Sequence, residues 1–297
     1  MMKSRRLDRE GWVFPAIGYA VLSLFFLITI YPFYYIFIYS VSDVIQAQKG
    51  IFLLPAGFTL DSYISVFRLK GIFNALLVSV SRTVLGTAIT ILCSSFCAYI
   101  FTKKELLHKK LIYRFFIVTM YLDSGLIPYY LTMKAYGLKN NFLLYILPGA
   151  VGVFYIILMK TYMEQLPESM EEAATIDGAG FLTRFTRIIF PLSKPVIATI
   201  VVFAAVAQWN SWIDNFLLVE NAQLKTLQLI LYENINQANA LARLSMEELS
   251  RGLNAKVITP QSIRMTITMV VTLPILLVYP LAQKYFVSGI MLGAIKG

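Results

Sequence analysis

The run from Trp12 to Tyr39 is one of several in this 297-residue chain that approach or exceed the ~20 apolar residues needed to cross a bilayer core. No other feature constrains the fold so tightly. A chain in lipid must satisfy its backbone polar groups internally, which leaves only helices and closed barrels. The segment lengths suit helices, and the alternation typical of barrel strands is absent. Composition agrees: 58% of residues are hydrophobic and 14% charged, against roughly a quarter charged in a soluble domain. The expected fold is an all-α integral membrane protein. The first apolar run is too long for a signal h-region and lacks a small-residue cleavage site, so it reads as a retained span.

Six transmembrane helices are expected, over Trp12–Tyr39, Ile72–Phe101, Leu111–Met133, Phe142–Met159, Val196–Val219 and Ile263–Phe286. Residues 1–11 then form an N-terminal tail and 12–297 one membrane domain. Its loops include one at about 163–195, a long one at 220–262 and a C-terminal tail at 287–297. With both termini in the cytoplasm, inner segments carry 15 Lys and Arg and outer segments 10, with Arg82 left inside span two. The short basic loop KKELLHKK at 103–110 decides the orientation, because short loops weigh most. Loop 163–195 is then cytoplasmic and loop 220–262 is outside.

The net charge of +10 lies beside apolar spans rather than in one patch, which argues for membrane orientation and against nucleic acid. Cys93 and Cys97 sit four apart inside one span and read as small residues at helix contacts. His108 is the sole histidine, so a histidine-based metal centre is excluded. Pro32, Pro128, Pro148 and Pro274 fall within spans, where they mark either helix breaks or static kinks.

The stretch EEAATIDGAGFLTRFTRIIFP, residues 171–191, is charged, helix-forming and punctuated by glycine. Pro167 suits a first helical turn, and Glu168, Glu171 and Glu172 complement the helix dipole. Met170, Ala173, Ala174 and Asp177 share a face by spacing, and Gly178 can end the helix in a left-handed conformation. Phe181, Phe185, Ile188 and Ile189 then oppose Arg184 and Arg187 before Pro191 and Pro195 close the segment. An interfacial amphipathic pair anchored in lipid is one reading. The small Ala-Ala face with adjacent carboxylates suits docking into an arginine-rich protein cleft instead.

Glu172, Ala173, Ala174, Gly178, Ile188 and Pro191 resemble the EAA signature of ABC importer permeases: Glu-Ala-Ala, three residues, Gly, nine residues, Ile-x-Leu-Pro. Phe190 stands where that pattern has Leu, an apolar exchange. Beyond this loop, WNSW at 209–212 and the tail QKYFVSGIMLGAIKG resemble the MalG-like carbohydrate permeases. SGLIPYY at 124–130 and NQANALARLS resemble permeases for complex oligosaccharides.

That resemblance implies a type I ABC importer permease fold in the cell membrane of a prokaryote. Glu172 would contact an ATP-hydrolysing subunit, Ala173 and Ala174 would allow close approach, and Asp177-Gly178 would make the turn. Partners would be a second permease, two ATP-binding cassette subunits and an extracytoplasmic solute-binding protein. The chain would bind no cofactor, and ATP and magnesium would sit on the ATPase subunits. A P-loop needs G-x-x-x-x-G-K-[ST], and no Gly-Lys dipeptide occurs. The chain is therefore expected not to be an enzyme.

Polar and aromatic groups near membrane depth are the substrate candidates: Tyr121, Asp123, Tyr129, Gln208, Trp209, Asn210, Trp212 and Asp214, with Tyr130 nearby. Interfacial aromatic belts are the competing explanation. Arg82 either snorkels to the outer interface or pairs with a carboxylate such as Asp123. Loop 220–262 is either a docking surface for the solute-binding protein or a solvated connection. A self-sufficient channel or secondary transporter is the alternative class, and it would need ion-coupling acids that this chain scarcely offers.

Overall fold

A computed structural model describes residues 10–50, 53–69, 71–122, 124–236 and 261–277. The described residues are overwhelmingly helical, with one isolated antiparallel bridge between Ser42 and Phe58. The chain divides into two compact units, Met1–Leu69 with Asn234–Val270, and Lys70–Glu233 with Val271–Gly297.

In the first unit, α1 spans Glu10–Ser40 and α2 spans Asp61–Arg68. Every described side chain of α1 from Pro15 to Tyr34 is exposed, so this apolar surface is available to lipid or to another subunit. Its end is anchored by a small cluster of Ile38, Tyr39 and Ala47, with Tyr35, Ala56 and Met265 against it. Asp43 then caps the short helix Val44–Ala47, its carboxylate accepting from Ile45 N at 3.1 Å and Gln46 N at 3.0 Å.

The second unit is built on α3, Ile72–Thr102, which at 1.5 Å per residue is ~46 Å long. Around it lie α4 (Lys109–Tyr121), α5 (Leu126–Ala135) and α6 (Val153–Met163). Next come α7 (Glu168–Ile176), α8 (Phe181–Leu192), α9 (Lys194–Asn210) and α10 (Ile213–Leu218). Two further helices are shared between the units: α11, over residues 227–236, passes from the second to the first at Asn234, and α12, Gln261–Leu277, returns to the second at Val271. The main core joins α3, α6, α8 and α9 through Tyr99, Phe101, Ile156, Met159, Phe185, Ile189 and Ile200.

Helices α1 and α3 match the expected first two spans to within two residues. The third, fourth and fifth spans differ: each is interrupted. The third breaks between Tyr121 and Leu126, where Gly125 has φ +75°. In the fourth, a 3-10 turn at Phe142–Tyr145 is separated from α6 by a non-helical Pro148-Gly149 segment. The fifth breaks at Ser211-Trp212, where Ser211 is extended. Pro191 lies in the last turn of α8 and Pro195 in the first turn of α9, and an 80° bend between them separates the two helices where the segment was expected to close. The expected end of the sixth span, 278–286, lies outside the described residues.

By length and composition two described helices qualify as spans, Pro15–Ser40 and Ile72–Thr102, and up to four if each bent pair counts once.

Helix α3 compensates for two of these breaks. Its residues 82, 86, 90 and 94 recur every fourth position, are all buried, and are all polar or glycine: Arg82, Gly86, Thr90, Ser94. Thr90 Oγ1 donates to Gly149 O at 2.8 Å, and Gly152 N donates to Ser94 Oγ at 3.1 Å. Arg82 Nη1 donates to Ser211 O at 3.3 Å. Backbone groups freed by the fourth and fifth breaks are thereby paired, which an apolar environment demands.

Candidate functional site

Two polar clusters lie about 25 Å apart along α3, the rise over the 17 residues from Arg82 to Tyr99.

The first surrounds Arg82. Its guanidinium donates to both carboxylate oxygens of Asp214, Nη1 to Oδ1 at 3.1 Å and Nη2 to Oδ2 at 2.5 Å. Nε donates to Gln208 Oε1 at 3.0 Å, and the Tyr145 ring lies 4.6 Å below. The side chains of Arg82 and Asp214 are 5% and 12% exposed, so snorkelling does not describe Arg82. Asp214 Oδ1 also accepts from Ser211 Oγ at 3.2 Å and Asn215 N at 2.8 Å. Gly86 permits this assembly: a Cβ there would lie 2.6 Å from Gln208 Nε2.

Beside the pair opens a cavity of about 370 Å³, lined among others by Tyr129, Tyr145, Gly149, Tyr155, Gln208 and Asp214. Of the sequence candidates, the structure brings Tyr129, Gln208 and Asp214 together here. Trp209 instead turns its indole to Val271 O at 3.0 Å, and Asn210 accepts from Gln228 Nε2 at 3.0 Å. Trp212 stacks on Tyr232 with centroids 4.1 Å apart. Tyr121 is 78% exposed, and Asp123 lies outside the described residues. Tyr130 packs, half-buried, against the Leu144 and Leu218 cluster.

Sequence reasoning missed Tyr145, Tyr155 and Asn215. Asn215 is fully buried, donates to the Tyr145 hydroxyl and accepts from Thr226 N at 3.0 Å. Leu227 N donates to Ser79 Oγ at 2.9 Å, so the stretch around Leu227 packs on α3, while residues 220–223 before it are exposed and 237–260 lie outside the described residues. The overlooked signal was the every-fourth-residue polar stripe on α3.

The second cluster holds α7. Pro167 caps it in extended conformation, with Glu168 and Glu171 in the first turn. It closes as a Schellman turn: Gly178, at φ +80°, donates to Thr175 O, and Ala179 N donates to Ala174 O. The Glu171 carboxylate accepts from the Tyr99 hydroxyl at 2.6 Å and from Lys103, with Arg184 Nη1 at 3.5 Å. Burial pushes the Glu171 carboxyl up, but the hydrogen bonds from Lys103 and Tyr99 and the charges of Lys103 and Arg184 outweigh it and hold it below the usual range. Phe181 and Phe185 pack on the Tyr99 ring at 4.8 and 5.3 Å.

This arrangement divides the EAA-like residues. Ala174 is buried against its own chain, and Ile188 and Pro191 are half-buried. Glu172, Ala173, Asp177 and Gly178 are exposed, next to Ile176 at 86% exposure. Glu172 makes no ion pair among the described residues. Among the described residues no group of His, Cys, Asp and Glu could hold a metal ion.

No protein-family model matches the chain. It is 35% identical to the polygalacturonan/rhamnogalacturonan transport system permease protein YtcP of Bacillus subtilis, over 96% of this chain and 99% of that one. It is 36% identical to protein LplC of the same organism, over 97% of each chain. Among solved structures it matches a chain of a bacterial ABC transporter involved in the import of the acidic polysaccharide alginate. There the TM-score is 0.82 and the identity 29%, over 95% of this chain and 100% of that chain. With apolar helices, an EAA-like loop and relatives aligned along nearly their whole length, this integral membrane chain belongs to the carbohydrate permease subunits of ABC importers.

Proposed function

We propose that this chain forms one half of the translocation pathway of an ATP-driven oligosaccharide importer, with six spans and both termini in the cytoplasm. The observation that carries the coupling role is the exposed, unpaired Glu172 on a helix whose other two acids, Glu168 and Glu171, are paired with Lys104 and with Tyr99 and Lys103. A free carboxylate beside Ala173 can meet an Arg or Lys of an ATPase subunit at a desolvating interface. ATP and magnesium belong to a pair of such subunits. A second permease completes the pathway, and a solute-binding protein delivers the sugar at the face of loop 220–262.

Saccharide is the substrate class. Relatives are named for polygalacturonan/rhamnogalacturonan, for melibiose, raffinose and stachyose, and for lactose, so charged and neutral sugars both occur. Tyr129, Gln208 and Asp214 are the pathway residues carried forward.

The test is Glu172→Ala, and more strongly Glu172→Lys, in the reconstituted importer. Substrate-stimulated ATP hydrolysis and uptake should fall together while the complex stays assembled. Wild-type rates in an assembled Glu172→Lys complex would refute the coupling role.

A further inference from the structure

We infer that the cavity beside Arg82 receives an uncharged glycosyl unit and disfavours a uronate; this rests on the reading of the chain as an importer permease. Four of the five N–H donors of Arg82 are already committed, to Gln208, Ser211 and both oxygens of Asp214. Asp214 is equally engaged, so the two formal charges cancel within one buried pair. No other ionised side chain lines the cavity among the described residues.

The uncommitted groups are neutral. Among the described residues the hydroxyls of Tyr129 and Tyr155 have no hydrogen-bond partner. Gln208 must turn its oxygen to Arg82, because Nε only donates, and its amide N–H groups then remain free beside Gly149. Hydroxyl and amide groups among aromatic rings match the hydroxyls and apolar faces of a sugar ring. A volume of about 370 Å³ falls within the roughly 300–1,000 Å³ of small-molecule sites. A sugar carboxylate would instead meet Asp214, itself largely buried, with no free cation to offset the like-charge contact.

The experiment uses the full importer in nanodiscs, with Cys93→Ser and Cys97→Ser and a reporter thiol at cavity-lining Ala207, Ala207→Cys. Protection from a maleimide is measured with trigalacturonate, its full methyl ester and raffinose. The ester or raffinose should protect at concentrations at least tenfold below trigalacturonate, and Tyr155→Phe should weaken that protection. In Asp214→Asn, which leaves Arg82 uncompensated, preference should shift toward trigalacturonate. Equal or better protection by trigalacturonate with Asp214 intact would overturn the inference, as would no protection by either neutral probe. An unchanged preference in an assembled Asp214→Asn complex would also overturn it. Failure of the parent reading would show separately, as a chain that purifies without ATPase subunits.

Discussion

The Tyr99 hydroxyl donates to the Glu171 carboxylate at 2.6 Å, tying the short helix Glu168–Ile176 to the end of the long helix Ile72–Thr102. Lys103, over the Tyr99 ring at 4.0 Å, binds the same carboxylate. The two adjacent acids of the loop thus divide the work: Glu171 holds the loop to its own chain and Glu172 is left for a partner.

Glu171→Gln should lower the stability of the assembled complex by about 1.5–3 kcal/mol, the worth of hydrogen bonds to a charged group. The pH dependence follows from the lowered folded value. The contribution is complete above the ordinary value of 4.5 and is lost as pH falls through the lower folded one. Thermal unfolding across that acidic window should show a pH-dependent loss in wild type that is diminished in Glu171→Gln. An identical pH profile in both would remove the latch.

Asp214→Ala leaves Arg82 as a buried, uncompensated cation, and should cost ~3–5 kcal/mol. Replacing both partners, Arg82→Met with Asp214→Leu, should recover most of that loss. Thermal unfolding of the two variants in nanodiscs measures the coupling. A double variant no more stable than the single one would show that the cost lies elsewhere.

Gly86→Ala places a Cβ within 2.6 Å of Gln208 Nε2, so Gln208 must move away from Arg82. The expected cost is about 1–3 kcal/mol, typical of overpacking. It should shrink when Gln208 is already Ala, which a double-mutant cycle on thermal unfolding tests.

Ser94→Ala removes the acceptor of Gly152 N. An unsatisfied buried donor costs ~1–3 kcal/mol, and hydrogen exchange at the Gly152 amide should quicken relative to wild type. Thr90→Val should act likewise on the Gly149 carbonyl, read as a similar fall in thermal stability. Unaltered exchange at Gly152 would mean that water, not Ser94, satisfies it.

What the sequence determined by itself was whatever depends on local pattern. Long apolar runs dictate helices because lipid offers the backbone no partners, and α1 and α3 begin and end within two residues of the expected limits. The turn at Gly178 was legible because a left-handed C-cap favours glycine locally. The spacing from Glu172 to Pro191 was likewise readable without any contact being known. Hydropathy alone could not see that three further spans would be interrupted. Whether a Pro-Gly segment unwinds depends on neighbours that accept its freed polar groups, and Thr90, Ser94 and Arg82 sit some 60 to 130 positions away from theirs. The spacing marked Glu172 for a partner, but the chain's order did not show that Glu171 would be held by its own chain. One helical step rotates a side chain by about 100°, and only the packed position of α3 turns the first acid inward to Tyr99 and Lys103 while leaving the second exposed. The pairing of Arg82 with Asp214 was decided in the same way, by the tertiary approach of α3 to the break after α9, because a buried guanidinium takes the carboxylate that packing brings to it.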